Sequence, residues 1–268
     1  MSYELIALDL DGTLTDANKK IPETTRSALI ELMKRGKKVA LVSGRPVYGV
    51  LPVARELQMD VYGGYVKGFN AGQVVDCQTM KVIHNYVLPD EVIEPAYYLA
   101  EEYPGVCMIT YKGDTIIAGM ESNKYVEVEA FSNKMPVPVS SNFLDEIPRP
   151  LNKLLLCGEP VYINEILQKL KERFGEMLNL FPSEPFFGEI MPRGIDKGYS
   201  LRKLTESLGL CAKNVIACGD SGNDIPMIRY AGLGVAMENA LPQVREAADF
   251  ITLSNNDEGI LHVIKKYM

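Results

Sequence analysis

The chain has 268 residues, 47% of them hydrophobic and 24% charged, with a net charge of −7. That length allows one large domain or two ordinary ones, with enough apolar material for a real core. The acidic balance, without a basic stripe, argues against nucleic acid as a partner, and no apolar run is long enough to argue for a membrane span.

The N-terminal third alternates strand-like and helix-like patterns. Leu5-Ile6-Ala7-Leu8 reads as a buried strand, ended by Asp9-Leu10-Asp11-Gly12. A helix is expected from near Pro22 to Arg35, with Gly36 as its stop. Lys38–Val42 reads as a second buried strand running into Ser43-Gly44-Arg45, Pro46 opens another helix, and Val61–Val66 reads as a third strand. This rhythm predicts an α/β fold: a Rossmann-like, doubly wound parallel sheet.

From about Asn85 the rhythm changes. A helix over Pro89–Tyr103 leads to two neighbouring strands, Val106–Tyr111 and Thr115–Met120, split by Lys112-Gly113-Asp114, which signals an antiparallel hairpin. A strand at Leu154–Leu156, a helix over Pro160–Phe174 and two strands at Leu178–Phe181 and Phe187–Met191 follow. The expectation is a separate α+β domain over residues 85–191, inserted into a core of residues 1–84 and 192–268. After Gly194 the parallel pattern returns: a helix over Lys197–Leu208, a strand Val215–Cys218 ending in Gly219-Asp220, a helix opening near Asp224, short strands at Val235 and Ile251, and a terminal helix over Ile260–Lys266.

The five cysteines show no paired metal-ligand spacing, and their odd number suggests thiols in a reducing compartment, the cytoplasm. With only two histidines, a histidine-based zinc site is not expected. Four polar clusters remain: Asp9/Asp11, Ser43-Gly44-Arg45, Lys197, and Asp220-Ser221-Gly222-Asn223-Asp224. Three of them follow predicted strands, so in a doubly wound sheet they meet at one edge. Carboxylates at i and i+2 on a strand end are expected to converge, which is tolerable if a cation sits beside them or one keeps a proton. Each cluster also has a plainer reading. Asp-x-Asp-Gly can be a solvated turn, Ser43 a helix cap, Arg45 a surface ion-pair partner, and Asn70 an Asx-turn. Lys197 fits the plain reading least, because a helix start disfavours a cation.

Asp9-Leu10-Asp11-Gly12-Thr13-Leu14, Leu41-Val42-Ser43-Gly44-Arg45, Lys197-Gly198 and Gly219-Asp220-Ser221-Gly222-Asn223-Asp224 together resemble the four motifs of the haloacid dehalogenase-like hydrolase superfamily, in particular its Cof-type phosphatases with a large inserted α/β cap. The resemblance covers nearly the whole chain. It implies hydrolysis of a small phosphorylated metabolite, with Asp9 as nucleophile forming an aspartyl-phosphate and Asp11 as general acid/base, its proton favoured by neighbouring negative charge. It implies Mg²⁺ held by Asp9, the backbone carbonyl of Asp11 and Asp220, with Asn223 and Asp224 acting directly or through water. Ser43, aided by the Gly44 amide at a helix start, would bind the phosphoryl group, and Lys197 would offset its charge. Arg45 and Asn70 are substrate-contact candidates, although Asn70-Ala71-Gly72 swaps the two small residues of the family's usual Asn-Gly-Ala. Arg193, Glu189 and the Phe186-Phe187 pair are candidate cap contacts, the phenylalanines reading more readily as cap core or as the interface between domains. A phosphomutase and a phosphate-binding module without turnover remain alternatives, and oligomeric state stays open.

Overall fold

The computed structural model describes residues 2–119 and 121–268. In chain order, the first elements are β1 (Leu5–Asp9), α1 (Glu23–Lys34), β2 (Lys38–Val42), α2 (Val47–Glu56), α3 (Met59–Tyr62), β3 (Tyr65–Gly68), β4 (Gln73–Asp76) and β5 (Val82–Asn85). There follow α4 (Asp90–Glu101), β6 (Cys107–Lys112), β7 (Thr115–Ala118), α5 (Lys124–Asn133), α6 (Phe143–Glu146), β8 (Leu154–Cys157), α7 (Pro160–Phe174), β9 (Leu178–Glu184) and β10 (Phe187–Pro192). The chain closes with α8 (Lys197–Ser207), β11 (Val215–Gly219), α9 (Ile225–Tyr230), β12 (Leu233–Ala236), α10 (Pro242–Ala247), β13 (Phe250–Ile251) and α11 (Gly259–Tyr267).

The chain divides into two compact units, Met1–His84 with Asp196–Met268, and Asn85–Ile195. The second junction lies a few residues beyond the expected 191/192 boundary. Pairing continues past Met191: Pro192 pairs with Leu178, and the Arg193 amide donates to the Met177 carbonyl.

Among the described residues of the first unit, the strands form one sheet in the order β13-β12-β11-β1-β2-β3-β4-β5. The run from β13 to β3 is parallel, and β4 returns antiparallel to β3. β1 is buried along its whole length, as a strand with helices on both faces requires. Leu5, Ala7, Ala40 and Val42 pack against Leu201 and Leu204 of α8, while the alternate residues Ile6, Leu8, Val39 and Leu41 are buried on the other face. Each large side chain so buried contributes about 1.5–3 kcal/mol of transfer free energy.

One local expectation changes, and two short strands appear that had no sequence reading. The third strand starts at Tyr65 rather than Val61, because Met59–Tyr62 is a helical turn closed by Gly63 at φ +90°. β4 and β5 are four residues each and turn around Asp76, whose Oδ1 accepts from the Gln78 and Thr79 amides.

The second unit holds a sheet in the order β7-β6-β8-β10-β9, antiparallel in every pairing. Met108, Leu154, Leu156 and Ile190 on one face pack against Val92 and Ala96 of α4 and Ile163 and Ile166 of α7. The expected hairpin is present as β6–β7, although the expected strand ran to Met120, which lies outside the described residues. α5 had no sequence signal. Its apolar residues do not line one stripe: Val126 is buried while Val128 and Phe131 are exposed. Asn123 starts it by accepting from the Tyr125 and Val126 amides.

Candidate active site

Parallel strands deliver the polar residues to one edge of the first unit's sheet. β1 ends on Asp9, β2 is followed by Ser43 and β11 by Asp220, and the three strands lie side by side. Asp9, Asp220 and Asp224 each offer a carboxylate oxygen, and these oxygens lie within 4.8 Å of one another.

Lys197 closes the cluster from α8. Its Nζ donates to Asp9 Oδ1 at 2.7 Å and to Asp224 Oδ1 at 2.6 Å, and its side chain is buried. α8 is capped by Asp196, which accepts from the Tyr199 amide at 2.7 Å and so brings negative charge to the end where a cation is least welcome. Burial disfavours the Lys197 charge, but Asp224 and Asp9 outweigh it and raise its hold on the proton. Asp9 is pushed up to about 8 by burial, with Asp224 and Asp220 adding to the push and Lys197 pulling back. Asp220 is raised for the same first reason, burial, with Asp224 acting in the same sense.

Asp220 is oriented by Thr13 Oγ1, which donates to its Oδ1 at 2.8 Å, and by Ser221 Oγ, which donates to Oδ2 at 3.1 Å. Gly12 makes room for it. At φ +86° the position suits glycine, and a Cβ there would stand 2.6 Å from Asp220 Oδ2. Asp224 is fully buried with both oxygens engaged: Oδ1 by Lys197, and Oδ2 by the Asp220 and Ser221 amides at 3.0 Å.

A second grouping lies alongside. Asn223 turns its Nδ2 to Asn70 Oδ1 at 3.0 Å, and a Cβ on Gly44 would stand 3.1 Å from that same oxygen. Asn70 sits at φ +50° between Phe69 at +56° and Ala71 at +76°, and its amide donates to the Ser43 carbonyl. Three consecutive left-handed residues without glycine mark a turn held by its surroundings. Ser43 is buried, and its Oγ accepts from the Arg45 amide at 3.1 Å. The expectation of a helix start at Gly44 is corrected: α2 begins at Val47, so the Gly44 amide belongs to the preceding turn.

Asp11 departs most from expectation. Its carboxylate stands apart from the aspartate cluster and faces two cations: Arg45 Nε reaches Oδ2 at 2.9 Å, Arg45 Nη2 reaches Oδ1 at 2.6 Å, and Lys19 Nζ reaches Oδ1 at 2.8 Å. β1 stops at Asp9, so the i, i+2 rule that would aim both side chains the same way no longer governs Asp11. Burial pushes the Asp11 carboxyl up, but Arg45 and Lys19 outweigh it and hold it below the ordinary range. Neighbouring negative charge therefore does not raise it, contrary to the expectation.

Three further expectations fall in the second unit. The Arg193 guanidinium pairs with Glu176 and donates to the Gly175 carbonyl, rather than standing open to a substrate. Glu189 is buried, accepting from Lys153 Nζ at 3.0 Å and Ser183 Oγ at 2.9 Å. Phe186 stacks on Tyr125 and meets Phe187 edge-on, which is the packing reading of that pair.

Thr13, Lys19 and Asn239 escaped the sequence reading. Thr13 stands in the first motif and is the one with a usable signal; Lys19 lies in an aperiodic loop, and Asn239 reaches the Gly12 carbonyl from the far end of the chain. As a cation site, the cluster offers hard oxygen donors and crowded like charges. That donor set suits Mg²⁺ rather than a soft metal.

This is a doubly wound α/β core with an acidic, lysine-closed site at its strand ends and a second α+β unit inserted in the chain. That arrangement defines a two-unit α/β protein with a cation-suited site at its strand ends. The profile of the haloacid dehalogenase-like hydrolases matches residues 6–264, and the chain belongs to that family, in its Cof-type branch. A solved haloacid dehalogenase-like hydrolase from Bacteroides thetaiotaomicron is 39% identical, with a TM-score of 0.96 and 100% of each chain covered. YxeH of Bacillus subtilis is 32% identical over 264 residues, covering 98% of this chain and 97% of YxeH. A second Bacillus subtilis relative, the 5-amino-6-(5-phospho-D-ribitylamino)uracil phosphatase YcsE, is 28% identical over 274 residues, covering 100% of this chain and 97% of its own. The protein is a phosphatase of this family.

Proposed function

We propose that the protein is a Mg²⁺-dependent phosphatase that hydrolyses a small phosphorylated metabolite, a sugar phosphate or nucleotide-related phosphate, through an aspartyl-phosphate on Asp9. The convergence of Asp9, Asp220 and Asp224 on one small volume, with Lys197 bridging Asp9 and Asp224, carries this reading. YcsE, named for a phosphorylated ribityl compound, supports the substrate class. No helix of the described residues is long and apolar enough to cross a membrane, and Cys77, Cys107, Cys157, Cys211 and Cys218 are all free; both features support a cytoplasmic setting.

In the first step an Asp9 carboxylate oxygen attacks phosphorus. The ester P–O bond breaks, and its electron pair goes to the leaving oxygen, which takes a proton from Asp11; Asp11 gains that proton from solvent once the substrate anion has drawn Arg45 away from it. In the second step Asp11, now a carboxylate, takes a proton from the attacking water. The Asp9–phosphorus bond breaks, and phosphate leaves. Lys197 orients Asp9 and pulls its carboxyl toward the ionised form, against burial, Asp224 and Asp220, which push it up. Asp9, Asp220 and the Asp11 carbonyl would hold Mg²⁺, with Asp224 and Asn223 supporting from outside because their side chains are otherwise engaged. When bound, the ion supplies charge neutralisation at the phosphoryl oxygens. Ser43 and the Gly44 amide receive the phosphoryl oxygens, and Asn70 and Arg45 receive the rest of the substrate. Arg193 belongs to this reading only if it exchanges Glu176 for substrate.

The test is phosphate release from aryl and sugar phosphates with Mg²⁺. It should vanish with EDTA and in Asp9→Asn. A rearranged phosphosugar in place of free phosphate would assign a mutase, and release that survives Asp9→Asn would remove the nucleophile.

A further inference from the structure

The loop that carries Asp11 is gripped from a distance by asparagines. Asn239 Nδ2 donates to the Gly12 carbonyl at 2.8 Å, and its Oδ1 accepts from the Asn255 amide at 3.0 Å. Asn255 is buried, and its Nδ2 donates to the Thr15 carbonyl at 2.8 Å. Asn256 Oδ1 accepts from the Ala17 amide at 3.0 Å. The gripped groups at Gly12 and Thr15 lie within the turn that the bridge between Asp11 and Thr15 closes. Asn239 is exposed yet uses both ends of its amide on this task.

We propose that Asn239 and Asn255 are positioning residues for Asp11. Their paired amides fix the backbone on the C-terminal side of Asp11, so that its carboxyl swings between the cationic pair and the leaving oxygen without the loop moving. The inference rests on the proposed acid/base role of Asp11. Three features favour a functional clamp over general bracing. The bonds converge on one short loop; they link it to the segments following β12 and β13, more than 200 residues away; and that loop carries Asp11, the side chain that has to move. A proton donor displaced by about an ångström loses most of its effect, and protonation matters most when the leaving group is a poor one.

The experiment compares kcat/KM for 4-nitrophenyl phosphate, whose leaving group needs little protonation, and benzyl phosphate, an alkyl ester of similar size. Wild type, Asn239→Ala, Asn255→Ala and Asp11→Asn are measured with Mg²⁺. Asp11→Asn should lose far more on the benzyl ester, and Asn239→Ala should follow the same pattern with about a tenfold greater loss on benzyl than on nitrophenyl. Amide hydrogen exchange over Gly12–Asp16 should rise in both asparagine variants. Equal losses on the two esters, or no loss on either, overturn the clamp while leaving the Asp11 role intact if Asp11→Asn discriminates. If Asp11→Asn does not discriminate, the acid role falls and the clamp with it.

Discussion

Arg45 and Asp11 form a two-point ion pair, Nε to Oδ2 at 2.9 Å and Nη2 to Oδ1 at 2.6 Å, and Lys19 makes a third contact to the same carboxylate. The residue proposed as proton donor thus rests as a carboxylate on the residue proposed to meet substrate. In the proposed reaction an incoming anion would compete for the guanidinium, and that exchange would free Asp11 to move.

The two cations should differ in weight. Arg45 is about one-fifth exposed and bidentate, whereas Lys19 is 62% exposed. A charge-assisted bond from Arg45 to the substrate anion, made in exchange for Asp11, is worth about 1.5–3 kcal/mol, so Arg45→Ala is expected to lower kcat/KM by about 10–100-fold. An exposed pair is worth about 0–1 kcal/mol, so Lys19→Met should change it by less than about fivefold. Steady-state kinetics of both variants decide this, and equal effects would remove the special place of Arg45.

Gly12 offers a test of the aspartate geometry. Alanine at φ +86° costs about 1–2 kcal/mol, and its Cβ at 2.6 Å would push Asp220 Oδ2 aside. Gly12→Ala should weaken Mg²⁺ binding by more than about tenfold in calorimetry. A variant that folds and binds Mg²⁺ as wild type would separate Asp220 from the ion.

Lys67 predicts a pH dependence of stability. It is fully buried on β3, and its Nζ has no hydrogen-bond partner among the described residues. Burial first, and repulsion from Lys197 second, hold its amine well below the ordinary lysine value, against a smaller pull from Asp196. The unfolded chain therefore binds a proton that the folded chain refuses. Stability rises with pH between the depressed folded value and the ordinary lysine value, by up to about 1.4 kcal/mol per pH unit. Lys67→Met should be more stable than wild type at pH 7, and the gap should close as pH approaches 10. Urea unfolding in EDTA at several pH values measures it, and a gap that stays constant would contradict a neutral Lys67.

What the sequence made legible were positions at strand ends. Asp9, Ser43 and Asp220 follow buried apolar runs, and parallel strands necessarily bring such positions to one edge. Lys197 was legible because its charge contradicts the helix dipole. Side-chain direction beyond a strand end was not legible, which is why Asp11 went to Arg45 instead of toward Asp9. Nor were contacts such as Asn239 to Gly12, where the partners are far apart in sequence and neither carries a periodic signal. In the second unit α5 was silent because its apolar residues form no stripe, and Glu189 looked available because its partner Lys153 lies on another strand's approach.

That last pair gives a sharp prediction. Lys153 and Glu189 are 3% and 5% exposed and meet at 2.8 Å, with Ser183 donating to the same carboxylate. Burial works against the Lys153 charge, and Glu189 and Glu129 more than restore it, so its pKa is raised. Removing one partner leaves a buried charge uncompensated, so Glu189→Leu should destabilise the protein by about 3–5 kcal/mol. Removing both charges relieves that penalty, and Lys153→Met/Glu189→Leu should recover most of the loss. If Glu189 instead met substrate, Glu189→Gln would raise KM while leaving stability almost unchanged. Urea unfolding of the single and double variants, beside the kinetics of Glu189→Gln, distinguishes a structural ion pair from a substrate contact.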